Sequence, residues 1–414
     1  MLPADFFSLV LKTFVRAVTD PIFFVLLLLI GLQYRRAANL KSQLYKVPPE
    51  SHWLPLFRAA LLGAAGGLLG GFIMALVGIS LSGIGVIYLW GLAILFMLVS
   101  PRLVCFSYAG GTIALCSLIF GFPKVDVPSL MGLVAVLHLV ESLLILANGH
   151  EGAVPVYTRN RQGRVVGAFY MQKFWPIPVV ALQVVLVSQN LSAGDLIPMP
   201  DWWPLLRSAL PPEAPGMRRI LVLVPVLAAL GYSDLAMTST PRKKCRWSAF
   251  HLGLYSLALL LLAVLASYTS GIAWAAALFA PLGHELLLRY GQKKEQAGTP
   301  LFVPNRKGLL VLDVLPGYPA QALGLQTGDL ILGVNGFPVH QRDSLRQALE
   351  ASPGWVEVEY LSGNRWRRGL VPLAGEELGL IPVPEADCYP HVTTQKGGML
   401  SHWWKSWSHK REWK

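Results

Sequence analysis

Three places in an otherwise apolar chain carry residues able to do acid–base or metal chemistry. His284 and Glu285 sit together in APLGHELLLRYG, His138 and Glu141 are three apart and share one helical face, and His251 lies near the start of another apolar run. Ionisable side chains inside apolar segments are costly and are functional candidates for that reason. The pair His284-Glu285 is half of the signature in which two histidines four apart hold zinc and the intervening Glu acts as base. The position four after His284 is Leu288, and no Asp-Gly follows in a later apolar segment. One helix then offers one ligand, so the expectation is no metal, no cofactor and no proteolysis. On that reading the pair meets lipid headgroups or Arg289, or contacts the soluble part of the chain. Ser80 and Ser82 in GISLSG miss the G-x-S-x-G pattern of a serine nucleophile. Cys105, Cys116, Cys245 and Cys388 lack metal-ligand spacing and read as inert thiols.

The elements that must position these groups are membrane helices. The chain of 414 residues is 54% hydrophobic and 14% charged, against about 25% charged in soluble domains. A bilayer-crossing helix needs about 20 apolar residues. Candidates fall at 14–34, 59–81, 83–99, 103–122, 129–147, 176–196, 219–235, 248–268 and 271–288, giving eight or nine spans, since Arg16 and Asp20 interrupt the first. Leu32 leads into Gln33-Tyr34-Arg35-Arg36 with no small-residue cleavage site, so the first run is expected to be a retained anchor.

Basic residues orient the spans. Arg35, Arg36, Lys41 and Lys46 follow the first; Arg159, Arg161, Arg164 and Lys173 lie between the fifth and sixth; Arg242, Lys243, Lys244 and Arg246 between the seventh and eighth; Lys293 and Lys294 after the last. Loops rich in Lys and Arg stay in the cytoplasm. Nine spans put every basic loop inside and the loop 192–217, with Asp195, Asp201 and Glu213, outside. The net charge of +12 is accounted for by these loops and the tail, with no need of nucleic acid. Gly63, Gly66, Gly67, Gly70 and Gly71 form a small-residue stripe suited to close helix packing within the chain or between copies. The segment 149–175 reads as a hairpin turning near Gln162-Gly163, with a basic face suited to anionic lipid.

Residues 300–373 have a different grammar: a short strand, a Pro-Gly turn, a brief helix, a Gly-Asp entry to a second strand ending at Asn335-Gly336, a helix and a closing hairpin. This order resembles the PDZ domains of bacterial membrane and envelope proteins. PDZ domains bind extended peptides by strand addition at a sheet edge beside a helix. The resemblance places that groove between Leu309–Val314 and the helix 343–350. Lys307 and Gly308 would stand at its mouth, Leu309, Leu310 and Val311 along its strand, and Leu345 and Leu349 facing either groove or core. Arg306 would add charge. The loop 304–308 departs from the usual carboxylate-binding pattern, so a terminal carboxylate and an internal segment are both open as ligands. Residues 374–414 read as a linker and a tail in which Trp403, Trp404, Trp407 and Trp413 alternate with Lys405, Lys410, Arg411 and Lys414. That composition suits a membrane surface, a disordered tail or an acidic partner.

The expected architecture is thus a polytopic α-helical membrane domain (1–290), a small α+β PDZ-like domain (300–373) and a tail (374–414). With APLGHELLLRYG before the module and QKFWPIP upstream, it resembles the MinJ family of Gram-positive bacteria. The resemblance implies a non-enzymatic adaptor in the cell membrane, enriched at septum and poles, that bridges DivIVA and MinD; a homo-oligomer is open from the glycine stripe alone. A degenerate intramembrane protease and a PDZ-bearing secretion or transport factor are the alternatives.

Overall fold

The computed structural model describes residues 4–100, 103–188, 197–207, 217–352, 354–373, 377–385 and 388–390. The Trp- and Lys-rich tail and most of the loop 192–217 lie outside the described residues. Helices α1 (Ala4–Thr19) and α2 (Pro21–Tyr45) meet at Asp20, whose carboxylate accepts from Ile22 N at 2.8 Å, with Pro21 in the first turn of α2 where its missing N–H costs nothing. They are followed by α3 (Trp53–Val77), α4 (Val86–Val99), α5 (Phe106–Phe120) and α6 (Val127–Asn148), and after a sheet by α7 (Pro241–Ala266) and α8 (Ser270–Ala297). Five of these, α2, α3, α6, α7 and α8, are long and apolar enough to cross a membrane.

Two of the nine expected spans are strands. Residues 154–236 form β1 (Val154–Arg159), β2 (Val165–Ser188) and β3 (Met217–Ala236), an antiparallel sheet in the order β1-β2-β3. The expected sixth span falls on β2 and the seventh on β3. Pro176 and Pro178 would each remove a helical hydrogen bond, and the run VVALQVVLV that follows is mostly β-branched. The expected hairpin at 149–175 is present: Val154 pairs with Tyr170 and Arg159 with Val165, and Asn160 N donates to Arg164 O at 2.9 Å across the turn.

The glycine stripe of α3 explains how a strand lies beside an apolar helix. The N–H and C=O of one strand residue point the same way, so prolines two apart leave the stretch 176–178 of one edge of β2 without donors. At Pro176 and Pro178 β2 is paired only with β3, opposite Ala229 and Leu227, so that donor-free stretch turns from β3 towards α3. A Cβ on Gly63 would lie 2.2 Å from Pro176 O, one on Gly67 2.1 Å from Pro178 O, and one on Gly71 2.9 Å from Val180 N. Gly66 and Gly70 face Val140 of α6 instead, where a Cβ would approach 3.0 and 2.9 Å. The stripe is consumed by packing within the chain, largely against strand backbone, a partner the helix-packing expectation did not include. Omitting N–H groups on that edge is a solution suited to surroundings without water.

Helices α4 and α5, of 14 and 15 residues, reach only about 21–22 Å at 1.5 Å per residue, short of a hydrocarbon core of about 30 Å. They form a hairpin that starts and ends beside the beginning of α6: Asp126 N donates to Gly83 O at 2.8 Å, and a Cβ on Gly85 would meet Val125 at 2.8 Å. The turn before α5 lies near the middle of α6, where Cys105 meets His138. The hairpin therefore turns back against α6, with its tip near the middle of that helix.

After α8 comes the α+β module: β4 (Leu309–Val314), α9 (Pro319–Ala322), β5 (Leu330–Val334), β6 (Phe337–Pro338), α10 (Arg342–Glu350), β7 (Gly354–Ser362), β8 (Arg365–Leu373) and β9 (Leu380–Pro382). The sheet order is β8-β7-β5-β4-β9, so the sheet extends past residue 373 into what reads as linker. Its core gathers Leu309, Val311, Ile331, Val334, Leu345, Leu349, Val356 and Val358. The module is seated on the rest of the chain. Gly167 N donates to Phe302 O at 2.8 Å, Tyr157 OH donates to Pro382 O at 2.9 Å, and Leu312, Leu315, Ile381 and Val383 join the main core.

Candidate functional site

The loop into β4 is shaped by two residues. Asn305 Oδ1 accepts from Lys307 N at 2.9 Å, closing an Asx turn that leaves Arg306 and Lys307 exposed. Gly308 passes so close to β5 that a Cβ would lie 2.2 Å from Ile331 O. Across from this loop, α10 starts with Gln341 and Ser344 capping each other's backbone. Between loop and helix lies a cleft of about 330 Å³ lined by Pro304, Asn305, Arg306, Gly308, Leu309, Leu310, His340, Gln341, Val383 and Glu385. Charge and apolar surface therefore meet at the place expected for a peptide terminus. The Gly-Asp turn is built as expected: Gly328 has φ +91°, and buried Asp329 accepts from Gln326 N at 2.9 Å.

The remaining expected site residues are divided. Lys307, Gly308, Leu309 and Leu310 stand at or beside the cleft, whereas Leu309, Val311, Leu345 and Leu349 also form the module's own core. The edge of β4 is not open along its length. β9 pairs with it antiparallel, Val311 with Pro382 and Val314 with Leu380, and Val383 N donates to Leu310 O at 3.0 Å. Leu378, Ile381 and Val383 are each 2% exposed. Removing three buried aliphatic side chains costs roughly 5–9 kcal/mol at about 1.5–3 each, comparable with the whole of a micromolar affinity, about 8 kcal/mol. A peptide is therefore accommodated more cheaply in the cleft beside Leu309 and Leu310 than in place of β9. This short strand is invisible to periodicity, and only its pairing reveals it.

The ionisable residues of the helices are also rearranged. His138 of α6 and His284 of α8 come together, with ring centroids 5.3 Å apart, and Cys105 at the N-cap of α5 lies 2.9 Å from His138 Nε2 and 3.6 Å from His284 Nε2. The ground for expecting no metal was ligand spacing within one helix; these donors come from three. His251 stands apart, its Nδ1 donating to Trp247 O at 2.8 Å. Glu285 accepts from Tyr108 OH at 2.6 Å and pairs with Arg289, the partner expected from sequence. Glu141 is half-buried on α6.

With this geometry in view, three comparisons are informative. The family model for the PDZ domain matches residues 310–356. The chain is 24% identical over 238 residues to the cell division topological determinant MinJ of Bacillus subtilis, covering 57% of this chain and 56% of that protein. It is 36% identical over 76 residues to the putative serine protease HhoA of Synechocystis, covering 18% of this chain and 19% of that one. Among solved structures, the PDZ domain of the SdrC-like protein from Listeria monocytogenes shares 19% identity, covering 19% of this chain and 90% of that one, with a TM-score of 0.17. The chain spans little more than half the length of MinJ and about a fifth of HhoA. The chain thus combines a PDZ domain and long apolar helices with similarity to MinJ over little more than half its length.

Proposed function

We propose that this protein is a non-enzymatic adaptor of cell division that crosses the membrane several times and recruits cytoplasmic proteins through the cleft of its PDZ domain. The observation that carries the reading is the combination of MinJ similarity with a PDZ domain packed against the helical half of the chain. By the MinJ resemblance the recruited proteins are DivIVA and MinD, and the site of action is the septum and poles.

The arrangement of charge supports a cytoplasmic PDZ domain. Lys41 near the end of α2 lies 3.8 Å from Asp313, the β1–β2 hairpin carrying Arg159–Arg164 touches Phe302, and Lys294 is in the last turn of α8, which leads into the module. The basic segments and the PDZ domain therefore share one end of the molecule, as a single cytoplasmic face requires.

The test uses the full-length protein in a Gram-positive host. His340 is exposed and only its backbone N is bonded locally, to Ser344 Oγ at 3.1 Å, so His340→Trp fills the cleft without disturbing the cap. Arg306→Glu reverses charge at the mouth. Both variants should keep septal and polar enrichment while losing recruitment of division partners. Unchanged recruitment by both removes the cleft from the mechanism, and absence of septal enrichment in the wild type removes the division reading.

A further inference from the structure

We infer that Cys105, His138 and His284 form a binding site for a thiophilic divalent metal of the zinc class, at the inner turn of the α4–α5 hairpin. Their ligand atoms all lie within 4.8 Å of one another. His138 and His284 are 3% and 8% exposed. Tetrahedral zinc with bonds of about 2.0–2.1 Å to nitrogen and about 2.3 Å to sulfur holds its ligand atoms about 3.3–3.6 Å apart. The Cys105–His284 separation of 3.6 Å already matches, and the Cys105–His138 separation of 2.9 Å needs only a side-chain adjustment.

Proton counting is the stronger argument. His138 Nδ1 lies 2.8 Å from the Val134 carbonyl, which only accepts, so Nδ1 is the donor there, and the tautomer with its single proton on Nδ1 presents the Nε2 lone pair to Cys105. Tyr255 OH donates its one proton to Ala280 O at 2.8 Å, so at 2.8 Å from that hydroxyl Ser107 must be the donor, leaving a lone pair to face His138 Nε2 at 3.3 Å. Ser107 N donates to Cys105 Sγ at 3.3 Å. Lone pairs of the His138 nitrogen, the Cys105 sulfur and the Ser107 oxygen thus converge on one buried point, with His284 Nε2 3.6 Å from the same sulfur. A cation satisfies them all. Sulfur with two imidazoles selects zinc-class ions over magnesium or calcium, which prefer oxygen. The Val134 carbonyl is the outer partner that metal-binding histidines ordinarily have. Ser107 Oγ or a water completes the fourth position.

The test is metal content of the full-length protein purified in detergent without chelator. About one zinc per chain is expected, and chelation followed by Co²⁺ should give a thiolate-to-cobalt charge-transfer band. Cys105→Ser should abolish that band, and His138→Ala and His284→Ala should each weaken metal binding by at least about 100-fold, beyond the 10–100-fold of an outer partner. Cys116→Ser, on the same helix, should change neither. Circular dichroism and elution volume identify variants that have lost their fold, and His284→Gln replaces any that have. Folded wild-type protein that takes up neither zinc nor Co²⁺ overturns the inference, as does a folded Cys105→Ser that keeps full stoichiometry and the band.

Discussion

Gly67→Ala is the sharpest perturbation of this fold. The added Cβ would lie 2.1 Å from Pro178 O, 2.9 Å from Pro178 C and 3.1 Å from Pro178 Cδ. Backbone cannot rotate aside, so β2 must retreat by about 1 Å or α3 must tilt, since carbon needs more than 3 Å from such neighbours. Overpacking of this kind costs about 1–3 kcal/mol, and a backbone obstacle belongs at the upper end. Alanine recovers about 1 kcal/mol of helix propensity, leaving a net loss of about 1–2 kcal/mol. Gly91→Ala in α4, with nothing within 4 Å, is the control and should be neutral or stabilising. Gly66→Ala, whose Cβ meets the movable Val140 side chain at 3.0 Å, should fall between them. The assay is denaturant titration of the detergent-solubilised protein by circular dichroism, with mass by analytical ultracentrifugation. Gly67→Ala as stable as Gly91→Ala would refute the helix–strand contact. A smaller particle with unchanged stability would assign the stripe to contact between copies.

Two further outcomes follow from buried polar groups. Lys244, 4% exposed, lies 3.4 Å from Asp234 and 3.7 Å from Glu295, and Glu295 also accepts from Met237 N, Thr238 N and Thr238 Oγ, each at 2.9 Å. Glu295→Ala should cost about 3–5 kcal/mol, read by the same titration, and adding Lys244→Met should restore part of it; an unaltered midpoint for Glu295→Ala contradicts the network. Tyr157→Phe removes the donor to Pro382 O and the acceptor of Arg342 at 2.7 Å, and should speed hydrogen exchange in 377–385 at neutral pH; unchanged exchange denies the contact. Burial, opposed by Arg342, pushes the Tyr157 phenol from 10.0 up to about 12. A raised pKa means this group's stability contribution is complete below pH 10 and lost as pH rises through about 12, so the Tyr157 contact should be insensitive to pH until that window.

The parts that were legible in the sequence are those built from neighbours along the chain. The PDZ domain was visible because its Asn335-Gly336 turn, Gly328-Asp329 entry and α10 pattern are all local. The long apolar helices were visible for the same reason. The later part of β2 and β3 read as spans because an apolar run of about 20 residues satisfies a helix-length criterion whatever its backbone does. The correcting signal was nevertheless present, in Pro176, Pro178 and Pro225 among β-branched residues. With β2 and β3 recognised as strands, the glycines of α3 acquire a partner that helix-packing rules do not contain.

The cluster at Cys105 could not be found by any spacing rule. Its members are 33 and 146 residues apart and meet because a helical hairpin too short to cross turns back at the depth of His138 and His284. Neither histidine has a second ligand on its own helix, so the convergence is a property of the bundle alone. The same turning back explains why α5 is rich in small residues: a Cβ on Gly111 would meet Pro281 of α8 at 2.4 Å, and one on Gly110 would meet Val134 of α6 at 3.1 Å. Close packing along α5 brings Cys105 into the gap between α6 and α8. The small residues and the polar cluster are therefore two consequences of one structural choice. Bulk at Gly111 should displace Cys105 from both histidines without touching either.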